Sequence, residues 1–259
     1  MGFSVTEIAA YIGAAAWIPS IAYLLYGRLV KPVVQIIPEK QIELGFTTLG
    51  PIFNIRLVLS ACRKDAIIDN IWVELRHESG EERHLTWTGM RETFSEITDM
   101  AGNRQLVEKD QPAIAIKLAT VLLTEKFVRF QELAFHERNR PLINAFAEHG
   151  IYLKEQQNDC HDSILKSKQL FDIMEFYKAS FWWKPGRYTV KFGIEGREKV
   201  GIDANAFEFK LMQHDIDYLR KNLDIVKDDF ENMVKTSFIP DFESLPINWN
   251  WRNVPLVKL

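Results

Sequence analysis

Twenty consecutive residues near the amino terminus, from Ile8 to Gly27, contain no charged side chain. A helix rises about 1.5 Å per residue, so this run extends about 30 Å, which matches the hydrocarbon core of a bilayer. The rest of the chain is rich in charge and alternates apolar with polar residues. The sequence therefore predicts a transmembrane anchor within residues 1–30 that carries one large water-exposed domain.

The flanks of this run favour a retained anchor over a cleaved signal peptide. A signal peptide begins with basic residues and ends at a small-x-small cleavage site, and neither feature surrounds this run. Arg28, Lys31 and Lys40 follow the run, whereas Glu7 is the one charged residue before it. Because basic flanks stay on the cytoplasmic side, we expect a single-pass membrane protein with its large domain in the cytoplasm.

Charge and cysteine content restrict the class of partner and the source of stability. The 32 basic and 35 acidic residues are mixed along the chain and give a net charge of −3, so no basic face for nucleic acid is expected. Cys62 and Cys160 are the two cysteines. With no disulfide framework, the domain after the anchor must be held together by its own apolar core, and its length is sufficient for one.

Residues 31–212 carry the period-two pattern of half-buried strands. In the segment 52–61 the alternating apolar residues share one face, and Arg56 and Ser60 lie on the other. The segment 77–82 is polar and contains Gly80, so it predicts the turn of a hairpin. The predicted strands are 33–37, 41–46, 52–61, 71–76, 83–88, 188–194 and 206–212.

The segment after Pro185 and Gly186 places Tyr188, Val190 and Phe192 on one side of a strand. This Pro-Gly-x-Tyr-x-Val-x-Phe pattern is similar to a late strand of an immunoglobulin-like β-sandwich. The resemblance implies a fold that is mainly β with α. Such sandwiches carry many unrelated functions, so the resemblance assigns no activity.

The stretch 89–184 is too long for a loop, so we expect an insertion with helices of its own in the β-sandwich domain 31–212. Strands are predicted at 113–118 and 126–130. A short helix is predicted with Asn139 at its N-cap, Pro141 in its first turn and Gly150 past its end, and a second helix at 162–179. In the last segment, 213–259, helical spacing of apolar residues predicts an amphipathic helix at 214–234, followed by an aromatic tail.

Sequence motifs for catalysis are absent: the chain has no Gly-x-Ser-x-Gly, no His-Glu-x-x-His, no Cys-x-x-Cys and no phosphate-binding glycine loop. The segment 159–162, Asp-Cys-His-Asp, has metal-ligand residue types, but neighbouring side chains diverge, so we expect a loop and helix cap and no metal or cofactor. A membrane-tethered hydrolase remains the alternative. Its site would lie in the insertion and use His136, His149, His161, Arg138 and Arg140.

Aromatic and basic side chains are the predicted binding residues. Trp182 and Trp183 precede the Pro-Gly turn, and Trp249 and Trp251 lie in the tail. Tryptophan is enriched at interaction hot spots, although burial under the tail or contact with lipid headgroups would also explain these residues. Arg138 and Arg140 can hold a phosphate or carboxylate, or simply lie on a solvated loop.

Small residues in the apolar run predict association within the membrane. Ala9 with Gly13, and Ala10 with Ala14, have the small-x-x-x-small spacing that lets two helices approach closely. A homo-oligomer or a protein partner is therefore expected. The sequence predicts an adaptor, sensor or assembly subunit that binds a protein or a small ligand rather than an enzyme.

Overall fold

The computed structural model describes residues 5–98, 104–156, 160–203, 206–239 and 241–259. The fold is mainly β with α: one large, curled sheet carries a layer of helices and follows a single N-terminal helix. The segment 159–162, which has metal-ligand residue types and was predicted to form a loop and helix cap, begins with Asp159. This residue lies outside the described part of the chain.

Helix α1 runs from Val5 to Leu29 and contains Pro19. Every side chain described between Ala15 and Tyr26 is exposed, which covers more than three turns and therefore all faces of this part of the helix. Within the described part of the chain, no helix is both long and apolar enough to cross a bilayer.

Across the described ranges, thirteen strands form one hydrogen-bonded sheet. Its main path is β10-β1-β3-β8-β5-β4-β9-β11-β13; β2 pairs with β3, β12 with β2, β6 with β5, and β7 with β4. The strands are β1 (Val33–Pro38), β2 (Gln41–Thr47), β3 (Gly50–Cys62), β4 (Ala66–His77), β5 (Glu82–Thr98), β6 (Arg104–Pro112), β7 (Ile116–Leu118), β8 (Leu123–Gln131), β9 (Gly186–Gly196), β10 (Gly201–Asp203), β11 (Ala206–Leu211), β12 (Arg252–Pro255) and β13 (Val257–Lys258).

The alternating pattern identifies the interior of the curled sheet. Leu57, Leu59 and Ala61 of β3 are buried, whereas Arg56 on the opposite face is exposed. All seven of the strands predicted outside the 89–184 insertion occur, and the 77–82 hairpin turn is confirmed. The predicted strand 113–118 is shorter, because only residues 116–118 pair with β4. The immunoglobulin-like β-sandwich stays a prediction.

The helical layer consists of α2 (Leu133–Gln156), α3 (His161–Leu165), α4 (Lys168–Ser180), α5 (Gln213–Arg220) and α6 (Asn222–Phe238). The predicted N-cap at Asn139 is wrong, because Asn139 and Pro141 both lie inside α2. The predicted helix 162–179 is interrupted at Ser167, whose hydroxyl accepts a hydrogen bond from the Leu170 N–H and starts α4. A second apolar cluster, around Phe135, joins this layer to Phe46 of β2.

Strand register defines two ends of the sheet. At one end, Val33 pairs with Cys62 and Gly201, and it follows α1 by only three intervening residues. We call this the proximal end; it comprises residues 31–33, 62–66, 117–123 and 196–203. The distal end comprises the 77–82 turn and residues 184–187, which face each other across β4 and β9. Beyond Arg91, β5 continues with β6 as a two-stranded hairpin that runs toward the proximal end.

Candidate functional site

A small cleft opens where helices α2, α4 and α6 meet the turn between β2 and β3. Its volume is about 320 Å³, at the lower limit of ligand pockets. Tyr177 from α4 lies at its base and donates a hydrogen bond to the Thr48 carbonyl oxygen at 2.7 Å. The lining residues are Thr48, Asn139, Ile143, Tyr177, Asp229, Phe230 and Met233.

Aromatic packing fixes the position of the Tyr177 ring. The ring makes edge-to-face contacts with Phe46, Phe135 and Phe230, with centroids 6.2, 5.4 and 6.0 Å away. Each such pair adds stabilisation beyond area burial, so the phenol is held in one orientation. Asn139 of α2 then donates its Nδ2–H to the Tyr177 oxygen at 3.0 Å. The cleft is therefore preorganised by the protein core.

Burial sets the electrostatics of the cleft. It raises the pKa of Tyr177 to about 12, although the hydrogen bond from Asn139 acts in the opposite direction. Burial also raises the pKa of the Asp229 carboxyl above its usual range, and a hydrogen bond from Thr48 partly offsets this effect. The buried Asn139 Oδ1 has no hydrogen-bond partner among the described atoms. The cleft thus offers acceptor oxygens and suits a ligand that brings hydrogen-bond donors.

This arrangement supports binding better than group transfer. The lining residues include no histidine, cysteine or serine. A tyrosine with a pKa of about 12 stays protonated at neutral pH and is no general base there. The side chains in the lining that can carry chemistry are Thr48, Tyr177 and Asp229.

The histidines and arginines of the hydrolase hypothesis are spread along α2. His136 and His149 are thirteen residues apart on that helix, which separates them by about 20 Å along its axis. Arg138 donates its Nε–H to the carbonyl oxygen of its own helix at Ala134 and lies over the Phe176 ring at 5.7 Å. Arg140 is exposed. The α2 residues thus form no common pocket.

The remaining histidine of that hypothesis lies on α3. His161 Nε2 is 3.3 Å from the neighbouring Asp162 carboxylate.

Of the histidines on α2, His136 is partly buried, and this burial lowers its pKa below the usual value. Within the described ranges, no group of three or more His, Cys, Asp or Glu side chains is placed to hold a metal ion.

Trp182 and Trp183 are both inside the protein, with 8% and 1% of their surfaces exposed. The Trp183 Nε1–H donates to the Gly45 carbonyl oxygen at 3.1 Å, and the two rings lie 4.1 Å apart. Arg83 covers the Trp182 ring at 5.6 Å. Both side chains therefore contribute to the core, beneath other segments of the chain.

The two tail tryptophans are half-buried against the domain. Trp251 packs directly on Gly45 of β2, where an added Cβ would lie only 2.3 Å from the indole ring. Trp249 packs against the helical cluster. The following strand, β12, then pairs with β2, so the tail is attached to the helical layer before Trp251 and to the sheet after it.

The predicted association residues lie within α1. Gly13 is exposed, with no atom within 4 Å of a built Cβ. The side chains of Ala9, Ala10 and Ala14 lie outside the described part, so association through this face stays a prediction.

The proximal end has an exposed apolar tip that we did not predict from the sequence. Val121, Leu122 and Leu123 are 86%, 62% and 72% exposed, at the turn that joins β7 to β8. The turn is closed by a hydrogen bond from Leu122 N to the Ala119 oxygen at 3.2 Å. Turns usually carry Gly, Pro, Asn, Asp or Ser. Three apolar residues between two predicted strands were the available sequence signal.

Charged side chains surround this apolar tip. Lys64 pairs with Glu198 at 2.7 Å, and Arg197 pairs with Asp69 at 3.5 Å. Four further basic residues are exposed at this end: Lys31, Arg63, Lys117 and Lys199. A shallow cavity of about 310 Å³ lies among them, with Lys117 and Arg197 in its lining.

Comparison with known proteins gives no relative. The chain matches no protein-family model, no curated protein and no solved structure. Any function must therefore be argued from the geometry of the chain itself.

Proposed function

We propose that this protein is a single-pass membrane protein whose sandwich-like β domain binds a ligand or a protein partner. Helix α1 is the anchor in this proposal. The observation that carries it is the uncharged run 8–27 within a helix whose described side chains from 15 to 26 are exposed on all sides.

The exposed surface of α1 is energetically unfavourable in water. Eight large apolar side chains of this helix are exposed, among them Trp17, Tyr23 and Leu29 at 68%, 79% and 75%. Each would gain about 1.5–3 kcal/mol on full burial, so on the order of 10 kcal/mol is at stake. A bilayer fits as the cover because the run is uncharged and about 30 Å long. Six of its side chains, at 8–12 and 14, lie outside the described part.

The basic residues after the anchor support a cytoplasmic domain. Arg28 and Lys31 follow the apolar run, and Lys31 is exposed at the proximal end of the domain. Positive flanks remain on the cytoplasmic side during insertion. The β domain would then bind its partner in the cytoplasm, as an adaptor, sensor or assembly subunit.

The Tyr177 cleft supports a role in binding. It combines a rigid aromatic ring with the Asp229 carboxyl and one unpaired amide oxygen, and it has room for a small ligand or for one side chain of a partner. The alternative, a membrane-tethered hydrolase in the 89–184 insertion, needs its polar side chains to converge. The separation of His136 from His149 gives no support to such a site.

Alkaline extraction of native membranes tests the anchor. The parent should stay in the membrane pellet, whereas the double variant Ile18→Lys and Ile21→Lys should be released, because each charge costs about 2.5–3.5 kcal/mol near the centre of a spanning helix. The control is Ile37→Lys, which changes an exposed apolar residue of β1 and should leave retention intact. Release of the parent would overturn the proposal.

Cysteine labelling tests the side of the membrane. Cys160 is buried, so it is a poor reporter, and Cys62 is exposed at the proximal end. We therefore place the reporter at the distal turn, as Ser79→Cys with Cys62→Ser. An impermeant maleimide should modify it only after the cells are opened. Modification in sealed cells would contradict the cytoplasmic orientation.

Native mass spectrometry tests the cleft. The full chain, purified in mild detergent, should retain a bound small molecule or partner that is lost when Ile143→Trp fills the cavity. The control is Ile151→Trp, an exposed position on the same helix. Equal bound mass in all three proteins would show that the cleft is not the binding site.

A further inference from the structure

We propose that the proximal end is a second membrane contact, in which the 119–123 turn inserts its apolar side chains into an anionic bilayer surface. This inference rests on the proposed function, because α1 must first hold the domain at the membrane. It goes further by assigning a lipid-binding surface to the β domain and by fixing how the domain is oriented.

The composition of the turn is the first observation. Val121 and Leu122 occupy the tip, where a turn normally presents polar residues to water. Their exposure, 86% and 62%, means that the domain itself gives them no apolar neighbours of sufficient area. Leu123 extends the patch into the start of β8 at 72% exposure. Three consecutive exposed apolar residues at one tip need a cover from outside the domain.

The position of the turn relative to α1 is the second observation. Val34 of β1 pairs with Ala61 of β3, and Ser60 of β3 pairs with Leu123 of β8. The tip is therefore two strand spacings from the strand that follows α1, which is about 10 Å. The linker between α1 and β1 has three residues and spans at most about 10 Å. An inserted α1 therefore brings the tip within reach of the same bilayer surface.

The charge around the tip is the third observation. Lys31, Arg63, Lys117 and Lys199 are exposed at this end, and Lys64 and Arg197 are also present. Opposing them are Asp65, Asp69, Glu198 and Asp203. Three of these carboxylates have partners within the domain: Asp65 accepts from Thr120 N at 3.0 Å, and the other two pair with Arg197 and Lys64. Six basic residues thus lie with four acidic ones at this end, and this surplus of positive charge suits anionic headgroups.

The backbone at Arg63 points to the same surface. Arg63 has φ of 73°, in the left-handed region that favours glycine or asparagine. An arginine at that position is costly for the fold and places a long basic side chain at the proximal end. Such strained residues are concentrated at functional sites.

Lipid explains these features better than a protein partner. The apolar tip and the basic residues lie on the end from which α1 leaves, so a bulky partner on this end would compete with the membrane for the same space. Apolar side chains flanked by basic ones form the usual pattern of a surface that lies in the bilayer interface, with insertion of about 5–10 Å.

The test uses the full chain in phosphatidylcholine vesicles, with and without phosphatidylserine. A polarity-sensitive fluorophore is attached at Leu122→Cys or, as the distal control, at Ser79→Cys, each in a Cys62→Ser background. We expect a blue-shifted, lipid-quenched signal at 122 that is stronger with phosphatidylserine, and a water-quenched signal at 79. A fluorophore at 122 as accessible to an aqueous quencher as that at 79 would overturn the proposal.

Two further measurements distinguish lipid contact from contact with a second copy and from loss of the anchor. A fluorophore at 122 that is shielded from water but not quenched by lipid-attached quenchers indicates contact with a second copy and overturns the lipid assignment. Alkaline extraction of the same vesicles reports on α1 alone. Retention with a water-exposed tip overturns only this inference, whereas release overturns the anchor and this inference together.

A charge-reversal pair tests the basic residues. Arg63→Glu with Lys199→Glu should weaken lipid quenching at 122 several-fold and remove its dependence on phosphatidylserine. Lys210→Glu, an exposed change near the distal end, should have no effect. Equal loss in both variants would show that charge at the proximal end does not direct the contact.

Discussion

The two ends of the curled sheet are built from the same strands but differ in the side chains that they expose. The distal turn is polar and is satisfied within the domain: Lys184 pairs with Glu81 at 2.6 Å, and Arg187 pairs with Glu78 at 3.4 Å. The proximal end instead exposes Val121, Leu122 and Leu123. The run of three consecutive exposed apolar residues therefore lies at the end from which α1 leaves the domain.

Backbone conformation differs between the ends in the same sense. The distal turn uses Gly80 at φ of 91°, where glycine has no steric penalty, whereas the proximal turn between β3 and β4 uses Arg63 at φ of 73°. The distal end follows the rules for an autonomous fold. The proximal end departs from them in both packing and conformation, as surfaces that serve a function often do.

The largest predicted difference between the ends is in stability. Tyr188→Ala at the distal end should lower the free energy of unfolding by about 3–5 kcal/mol, because it empties a buried aromatic site. Its ring stacks on Phe209 at 4.8 Å, and its hydroxyl bonds both the N–H and the carbonyl of Lys184. Leu122→Ala should change stability by less than about 0.5 kcal/mol.

The measurement is urea unfolding of the full chain in mild detergent. A loss at Leu122 as large as that at Tyr188 would mean that the tip is packed within the domain. The proposed difference between the distal end, whose side chains are paired within the domain, and the proximal end, whose tip is exposed, would then be wrong.

The strands were predictable because burial on one face imposes period two on each of them, as in β3. The start of α2 was not. Asn139 and Pro141 look like an N-cap and a first turn, but Asn139 is a buried residue held by Tyr177, 38 positions away. Local sequence contains no record of such a partner, so tertiary contact overrode the local signal.

The same reason explains why neither site was predicted. The cleft joins Thr48 to Tyr177 over 129 positions, and the proximal end brings four separate segments together through strand register. Trp182 and Trp183 were predicted as binding residues from composition, yet both are buried under distant segments, with Arg83 over Trp182 and Gly45 bonded to Trp183. Composition identifies which residues are unusual, whereas only the fold shows which of them face outward.

A second prediction concerns glycines at matched positions. Gly186→Ala should cost about 2 kcal/mol, because its φ is 135° and the new Cβ would lie 2.5 Å from His77 Nε2. Gly201→Ala at the proximal end has no positive φ, and its nearest neighbour is Val33 Cγ2 at 3.3 Å. That variant should cost less than about 1 kcal/mol. Equal losses in thermal unfolding would show that the two ends are equally tightly packed.

A third prediction concerns the residues with positive φ in the two turns, Arg63 and Gly80. Arg63→Gly should stabilise the domain by about 1 kcal/mol through relief of the left-handed conformation, and it should weaken the proposed contact with anionic vesicles. Gly80→Ala should destabilise by about the same amount, with no steric contribution, because no atom lies within 4 Å of the added Cβ. Denaturant midpoints in detergent measure both. Destabilisation by Arg63→Gly would indicate that this side chain supports the fold.

The smallest predicted effect is the dependence of the distal end on pH. A hydrogen bond from Lys184 lowers the pKa of Glu81 below its usual value of 4.5, and hydrogen bonds from Arg187 do the same for Glu78. A carboxyl with a lowered folded-state pKa stabilises the protein above the unfolded-state value, and this stabilisation is lost as pH falls through the folded-state value. The midpoint difference between the parent and Glu81→Gln should therefore stay constant from neutral pH to about pH 5 and shrink below 4.5. Because both carboxyls are solvent-exposed, added salt should reduce the difference. A difference that grows on acidification would show that the charged Glu81 side chain is destabilising. The ion pairs of the distal end would then not stabilise it.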